Sequence, residues 1–183
     1  MKNLLCIIAA ILMLVSCSKN NNENAKLIQI DSKQFEFALP KDSKELDEAF
    51  KNTMIQVNSN ILYMAICDTN DAKYLFMVSK YMLNTKTSIE EAFAQTVKPT
   101  TNSNADSLTD HLQLIDYKTY DVQGKTIRYK ISKHFDTVYT IMYYFMKDDS
   151  SKELYEIKTT ANQNNLAKAQ HFLEKVALSV EFK

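Results

Sequence analysis

The stretch "VYTIMYYFM", residues 138–146, is apolar at nearly every position, so both sides of a pleated strand would be greasy. Side chains alternate between faces along a strand. Such a run is stable at the centre of a sheet whose two faces are both covered. Around it the pattern is β: Tyr117–Val122, Lys125–Ser132, Thr137–Lys147 and Glu153–Ala161 alternate or run apolar, with short polar breaks between them. Four strands in meander, with helical periodicity elsewhere, predict an α+β fold. The expected architecture is an α/β/α sandwich with a central, mostly antiparallel sheet flanked by helices.

Gln123-Gly124 separates two of these strands and contains the chain's single glycine, suited to a two-residue turn that needs positive φ. That turn would pair Val122 with Lys125, Tyr120 with Ile127 and Lys118 with Tyr129. One face then carries Val122, Tyr120, Ile127, Tyr129 and Ile131 and should be core. The other carries Asp121, Thr119, Tyr117, Thr126, Arg128 and Lys130. Which column of the 138–146 strand lies beside that polar face depends on the next loop. An even-length loop brings Tyr139, Ile141, Tyr143 and Phe145, and an odd one brings Thr140, Met142 and Tyr144. Aromatics beside the chain's one arginine make Tyr117, Thr119, Arg128 and Lys130 a candidate partner surface, since Tyr and Arg are enriched among the residues that dominate interfaces. The alternative is that one of the protein's own helices covers this column.

Upstream, "LIQIDSKQFEFALP" (27–40) reads as one or two strands ending at Pro40. Asp42 with Glu45 predicts a capped helix over about 43–56, with Leu46, Ala49, Phe50, Met54 and Val57 on one face. The apolar runs Ile61–Cys67 and Tyr74–Tyr81 predict a strand pair. Ser88 with Glu91 forms a second capping box ahead of Ile89, Ala92, Phe93, Thr96 and Val97. Residues 100–113 suit a loop and a helical turn or two through Leu108 and Leu112. A last helix carries Leu166, Ala169, Leu173, Val176 and Ala177 into the strand "LSVEF".

The opening "FEFALP" (35–40), the hairpin "YDVQGKTIRYKI" (120–131) and the closing "FLEKVALSVEF" (172–182) resemble the PsbP/Mog-like group. That group includes photosystem II extrinsic proteins, Ran-binding nuclear import proteins and DcrB-like bacterial lipoproteins. The resemblance implies a non-enzymatic binding role and brings no functional residue with it.

The N-terminus has its own logic. Lys2 precedes twelve consecutive apolar residues, Leu4 to Val15. As a helix they would reach about 18 Å, against a hydrocarbon core of about 30 Å, so they read as a cleaved signal rather than a span. "LVSC", residues 14–17, resembles the bacterial lipobox, which implies cleavage before Cys17 and lipid attachment to its sulfur. Two or three acyl chains hold a protein on a membrane where one does not. Ser18 after the cysteine resembles enteric lipoproteins sorted to the outer membrane. The expected organisation is a lipoprotein signal peptide at 1–16, the lipidated Cys17 with a flexible tether to 26, and one globular domain over 27–183. The polar tether "SKNNNENAK" would span about 15–18 Å as a coil.

Composition narrows the chemistry. Removing residues 1–16 takes away Lys2 alone and leaves 21 basic against 22 acidic residues. That balance argues against a nucleic-acid binder. With one glycine, phosphate-cradling loops, dinucleotide fingerprints and nucleophile elbows have nothing to build on. His111, His134 and His171 lack metal-ligand spacing, and Asp68-Thr69-Asn70-Asp71 departs from a calcium loop at Ala72 and Lys73. Cys67 sits in the apolar "ILYMAIC" and should be a small buried hydrophobe. No cofactor and no catalytic residue is expected. The expected protein is an envelope lipoprotein held to a membrane through Cys17. It would act as a non-enzymatic binding or structural module with an envelope protein partner. The alternative is a small-ligand or lipid carrier with a pocket between helix and sheet, and an enzyme ranks third.

Overall fold

A computed structural model describes residues 25–47, 49, 50, 52, 53, 60–69, 72–97, 112–122, 125–134 and 137–183. The seven-stranded sheet contains β3 (Lys44–Glu45), β4 (Ile61–Asp68), β5 (Lys73–Ser88), β6 (Leu112–Val122), β7 (Lys125–His134), β8 (Val138–Phe145) and β9 (Ser150–Asn162). Their order is β3-β4-β5-β9-β8-β7-β6 and every neighbouring pair is antiparallel. A second, three-stranded sheet has β2 (Phe35–Pro40) between β1 (Ala25–Ile30) and β10 (Glu181–Phe182). Two helices complete the described elements, α1 (Ile89–Val97) and α2 (Leu166–Leu178).

The meander β6-β7-β8-β9 forms as the alternation predicts, and β8 lies well inside the sheet. Tyr139, Ile141, Tyr143 and Phe145 point to one side, into a core shared with β2, β4, β5 and α2. Met142, Tyr144 and Met146 fall in a second cluster with Ile89, Ala92, Phe93 and Leu154, beneath α1. The helices thus pack on opposite faces. The fold is α+β and mostly antiparallel. A layer of helices on each face is not what is found, because the small sheet takes over much of one face. Phe35, Phe37 and Leu39 recur every second residue in β2 and point inward, a strand's way of filling a core. Phe35 stacks on Tyr155 at 4.7 Å with rings almost parallel, and Phe37 meets Phe76 at 5.3 Å.

Three local expectations are corrected. Lys44 and Glu45 are not helical but pair with Ile66 and Ala65 as β3, and Leu46 N–H donates to Met64 O at 3.1 Å. Among the described residues of 43–56, helical backbone appears at 49, 50, 52 and 53, with Asp47 Oδ1 accepting from Phe50 N–H at 2.8 Å. Asp47 therefore caps, and Asp42 does not, because the intervening backbone is already hydrogen-bonded to β4. Met54 and Val57 lie outside the described residues. Leu112 is in β6 rather than a helical turn, drawn into the ladder opposite His134, with a bulge between Leu114 and Asp116. Leu108 and Gly124 lie outside the described residues. Ala25 and Lys26, assigned to the tether, begin β1 because they pair with Pro40 and Leu39. By contrast, the Ser88–Glu91 capping box forms in both directions: Glu91 N–H donates to Ser88 Oγ and Ser88 N–H to the Glu91 carboxylate.

The small sheet is fastened at its turn. Asp31, Ser32 and Lys33 have φ of 51°, 56° and 69°, three left-handed residues in succession with no glycine among them. That conformation costs energy at residues with a Cβ and needs compensation. The Asp31 carboxylate accepts from Lys80 Nζ at 2.7 Å and from the Tyr155 hydroxyl, and Lys80 also reaches Glu153 at 2.9 Å. Burial works to raise the Asp31 pKa, but the hydrogen bonds from Lys80 and Tyr155 and the Lys80 charge outweigh it and hold it below the usual value. Burial likewise works to lower the Lys80 pKa and is outweighed by its bonds to Asp31 and Glu153, so the ammonium is held above its ordinary range.

Asp31→Asn keeps a side chain that tolerates the left-handed region, so it isolates the charge. It should cost about 1–2 kcal/mol at pH 7. A depressed carboxylate stabilises the fold above its unfolded pKa and loses that stabilisation as pH falls through the folded value. The gap between wild type and Asp31→Asn in urea melts should therefore close below about pH 4. Ser32→Gly relieves strain and should raise stability by about 0.5 kcal/mol in the same melts.

Candidate functional site

The register across β6-β7-β8 decides what shares the polar face of the meander. Val122 pairs with Lys125, Tyr120 with Ile127 and Lys118 with Tyr129, as a two-residue turn requires. His134 pairs with Val138, leaving a three-residue loop, and so Arg128 stands opposite Tyr144 and Lys130 opposite Met142. Tyr117 pairs with Lys130 and Thr119 with Arg128. The four residues singled out by sequence form one two-by-two block on a single face.

Two more strands extend the rows. Tyr144 pairs with Glu156 and Glu156 with Ser79; Met142 pairs with Lys158 and Lys158 with Met77. Glu156 and Lys158 were missed by sequence reading, although "YEIKT" alternates apolar and charged residues in a strand-like way. Glu156 is almost fully buried in mid-sheet, 3.0 Å from Lys158 Nζ, and accepts from the Tyr81 hydroxyl at 3.2 Å. Lys130 Nζ lies 5.5 Å from the Tyr144 ring centre. Burial lowers the Lys130 pKa, Glu156 works to raise it again, and Lys158 adds to the lowering. Arg128 is mostly buried and pairs with Glu90 in the first turn of α1. Glu90 is held below the usual carboxylate range chiefly by its own backbone N–H, with Arg128 adding to it. Two polar atoms on this face, Ser79 Oγ and Arg128 Nε, are fully buried and find no hydrogen-bond partner among the described residues.

The block is not uniformly covered. Met142 and Tyr144 lie under α1, where Phe93 meets the Tyr144 ring edge-on at 5.6 Å. Toward the sheet margin cover thins: Thr119 is exposed, and Tyr117 is 60% exposed while its ring lies 6.4 Å from Phe93. Arg128 and Lys130 sit between these zones, at the border of the helix.

No family model matches the sequence, and neither does any curated relative. Among solved structures, cyanobacterial PsbP (CyanoP) from Synechocystis sp. PCC 6803 matches with a TM-score of 0.59, covering 91% of this chain and 97% of its own. The fold is PsbP-like. Identity over the match is 10%, a likeness of architecture alone.

The remaining chemistry-bearing side chains stay apart. Cys67 is fully buried, as its apolar run implied, and burial pushes its thiol up to about 11, against a lowering by Ser43. Few such thiols are ionised at neutral pH. Among the described residues, no three His, Cys, Asp or Glu side chains gather as a metal site, and no helix is long and apolar enough to cross a membrane. Cys17 lies outside the described residues.

Two substitutions test the electrostatics of this face. Ser79→Ala removes a buried hydroxyl that has no bond to lose among the described residues, so chemical denaturation should find it neutral or more stable by up to about 1 kcal/mol. Arg128→Glu loses an ion pair and sets two carboxylates together, and should cost about 1–2 kcal/mol. Adding Glu90→Lys should restore most of that loss.

Proposed function

We propose that this chain is a lipid-anchored protein of the bacterial cell envelope that works by binding and not by catalysis. Its attachment is Cys17, in the lipobox-like "LVSC", and its working surface is the margin formed by Tyr117, Thr119, Arg128 and Lys130. The observation that carries the binding reading is the register that gathers these four residues, with Tyr117 left open beside Phe93. A half-supported aromatic next to a fixed guanidinium supplies apolar area, a hydrogen-bonding tip and charge at little conformational cost. Support for attachment comes from the sequence: a short apolar run, a small residue before the cysteine, and a polar stretch ahead of Ala25, where β1 begins. By its Ser18, the membrane in question is the outer one. As part of the same proposal we take the layering for an α/β/α sandwich in reduced form, with β1-β2-β10 standing in for helical cover on one side.

Cys17→Ala should abolish incorporation of a fatty-acid analogue in growing cells and leave an unprocessed or released product. A wild-type chain that takes up no label would end the lipoprotein reading. For the surface, Tyr117→Ala with Thr119→Arg changes exposed side chains only, so the melting temperature should hold while capture of an envelope protein by the purified chain falls. Undiminished capture would show that the partner binds elsewhere.

A further inference from the structure

Strand β6 ends the seven-stranded sheet, and among the described residues nothing pairs with its outer edge. It is open on both faces: Leu114, Ile115 and Tyr117 are all exposed, as are Lys118 and Thr119. The opposite margin of the sheet is blunted by β3, only two residues long. An edge strand with unpaired backbone groups and exposed apolar side chains is a template for another strand.

The charges on β6 choose which strand. In an antiparallel ladder, directly opposed residues lie on the same face. A strand facing its own copy must therefore pivot on a residue, and each pivot fixes all the pairs. Pivoting on Asp116 sets two aspartates against each other, and pivoting on Lys118 sets two lysines together. Pivoting on Tyr117 places Asp116 opposite Lys118 of the second copy, twice by symmetry. Within one chain Asp116 and Lys118 lie 3.3 Å apart and both are more than a third exposed, so either can exchange its partner at little cost. The same pivot brings the two Tyr117 rings together on the opposite face, each backed by its own Phe93. The bulge between Leu114 and Asp116 breaks regular pairing upstream and confines the contact to about residues 115–119.

We infer that β6 pairs antiparallel with β6 of a second copy of this chain, about a two-fold axis at Tyr117. This rests on the surface reading above and names its occupant. The full chain, extracted from membranes in mild detergent, would be studied by sedimentation equilibrium beside Asp116→Lys, Lys118→Asp and the double exchange. Wild type should dimerise. Each single reversal replaces two attractive pairs by two repulsive ones and should weaken association about tenfold. The double exchange should restore the dimer, and so should an equimolar mixture of the two single variants, which are complementary to each other. Melting temperatures report whether each variant is folded, and the mixture keeps the comparison valid if the double exchange is not. A wild type monomeric at every concentration overturns the inference, as do single reversals that dimerise normally. A mixture that fails to recover the dimer overturns it too. Should the wild type stay monomeric while Tyr117→Ala with Thr119→Arg still loses an envelope protein, the second-copy inference falls and the surface reading stands.

Discussion

A strand with no wet side imposes the arrangement of everything around it. β8 offers Tyr139, Ile141, Tyr143 and Phe145 to one face and Met142 and Tyr144 to the other, and all six are buried. Large apolar side chains contribute about 1.5–3 kcal/mol each when fully buried, so leaving either column in water would cancel much of a domain's net stability. The chain meets this with two unlike covers. On one face α2 and the β1-β2-β10 sheet supply Phe172, Leu173, Val176, Phe35, Phe37 and Leu39. On the other, one nine-residue helix supplies Ile89, Ala92 and Phe93.

The two covers are fastened differently, and each fastening is electrostatic. The small sheet shares no ladder with the large one among the described residues, and the Asp31–Lys80–Tyr155 cluster at its turn adds to the packing that positions it. Three left-handed residues in a row are tolerated there because the carboxylate they present meets an ammonium and a hydroxyl on β5 and β9. On the other face α1 follows β5 without a linker, opens with its own capping box, and is tied down by Glu90 to Arg128. Arg128 thus helps to position a helix.

What the sequence disclosed and what it hid follow one physical line. Local patterns with a single solution were legible. Gln123-Gly124 between alternating runs predicts the observed register, and Ser88 to Glu91 predicts a helix start. Asp42 to Glu45 has the same spacing and misleads, because β4 reaches those residues' backbone first. The loop after His134 could be odd or even by sequence alone, and that parity decides whether Tyr143 or Tyr144 lies beside Arg128. Glu156 and Lys158 were hidden for another reason. Their relation to Lys130 passes through β8, and no local signal reports which strands become neighbours.

The ion pair of buried Glu156 with partly buried Lys158 is the least economical feature of the face. Desolvating two charges costs several kcal/mol, and an apolar pair of similar volume in mid-sheet is commonly as stable or more so. Yet this floor keeps Glu156, Lys158 and the Ser79 hydroxyl where Met142 and Tyr144 show that apolar residues fit. A charged floor resists an alternative that an apolar one would allow. A one-residue slip of β9 against β8 would drive Glu156 and Lys158 into the aromatic core and strand both charges there. The pair therefore holds the register of β9 against β8, which sets Glu156 beside Tyr144 and Lys158 beside Met142.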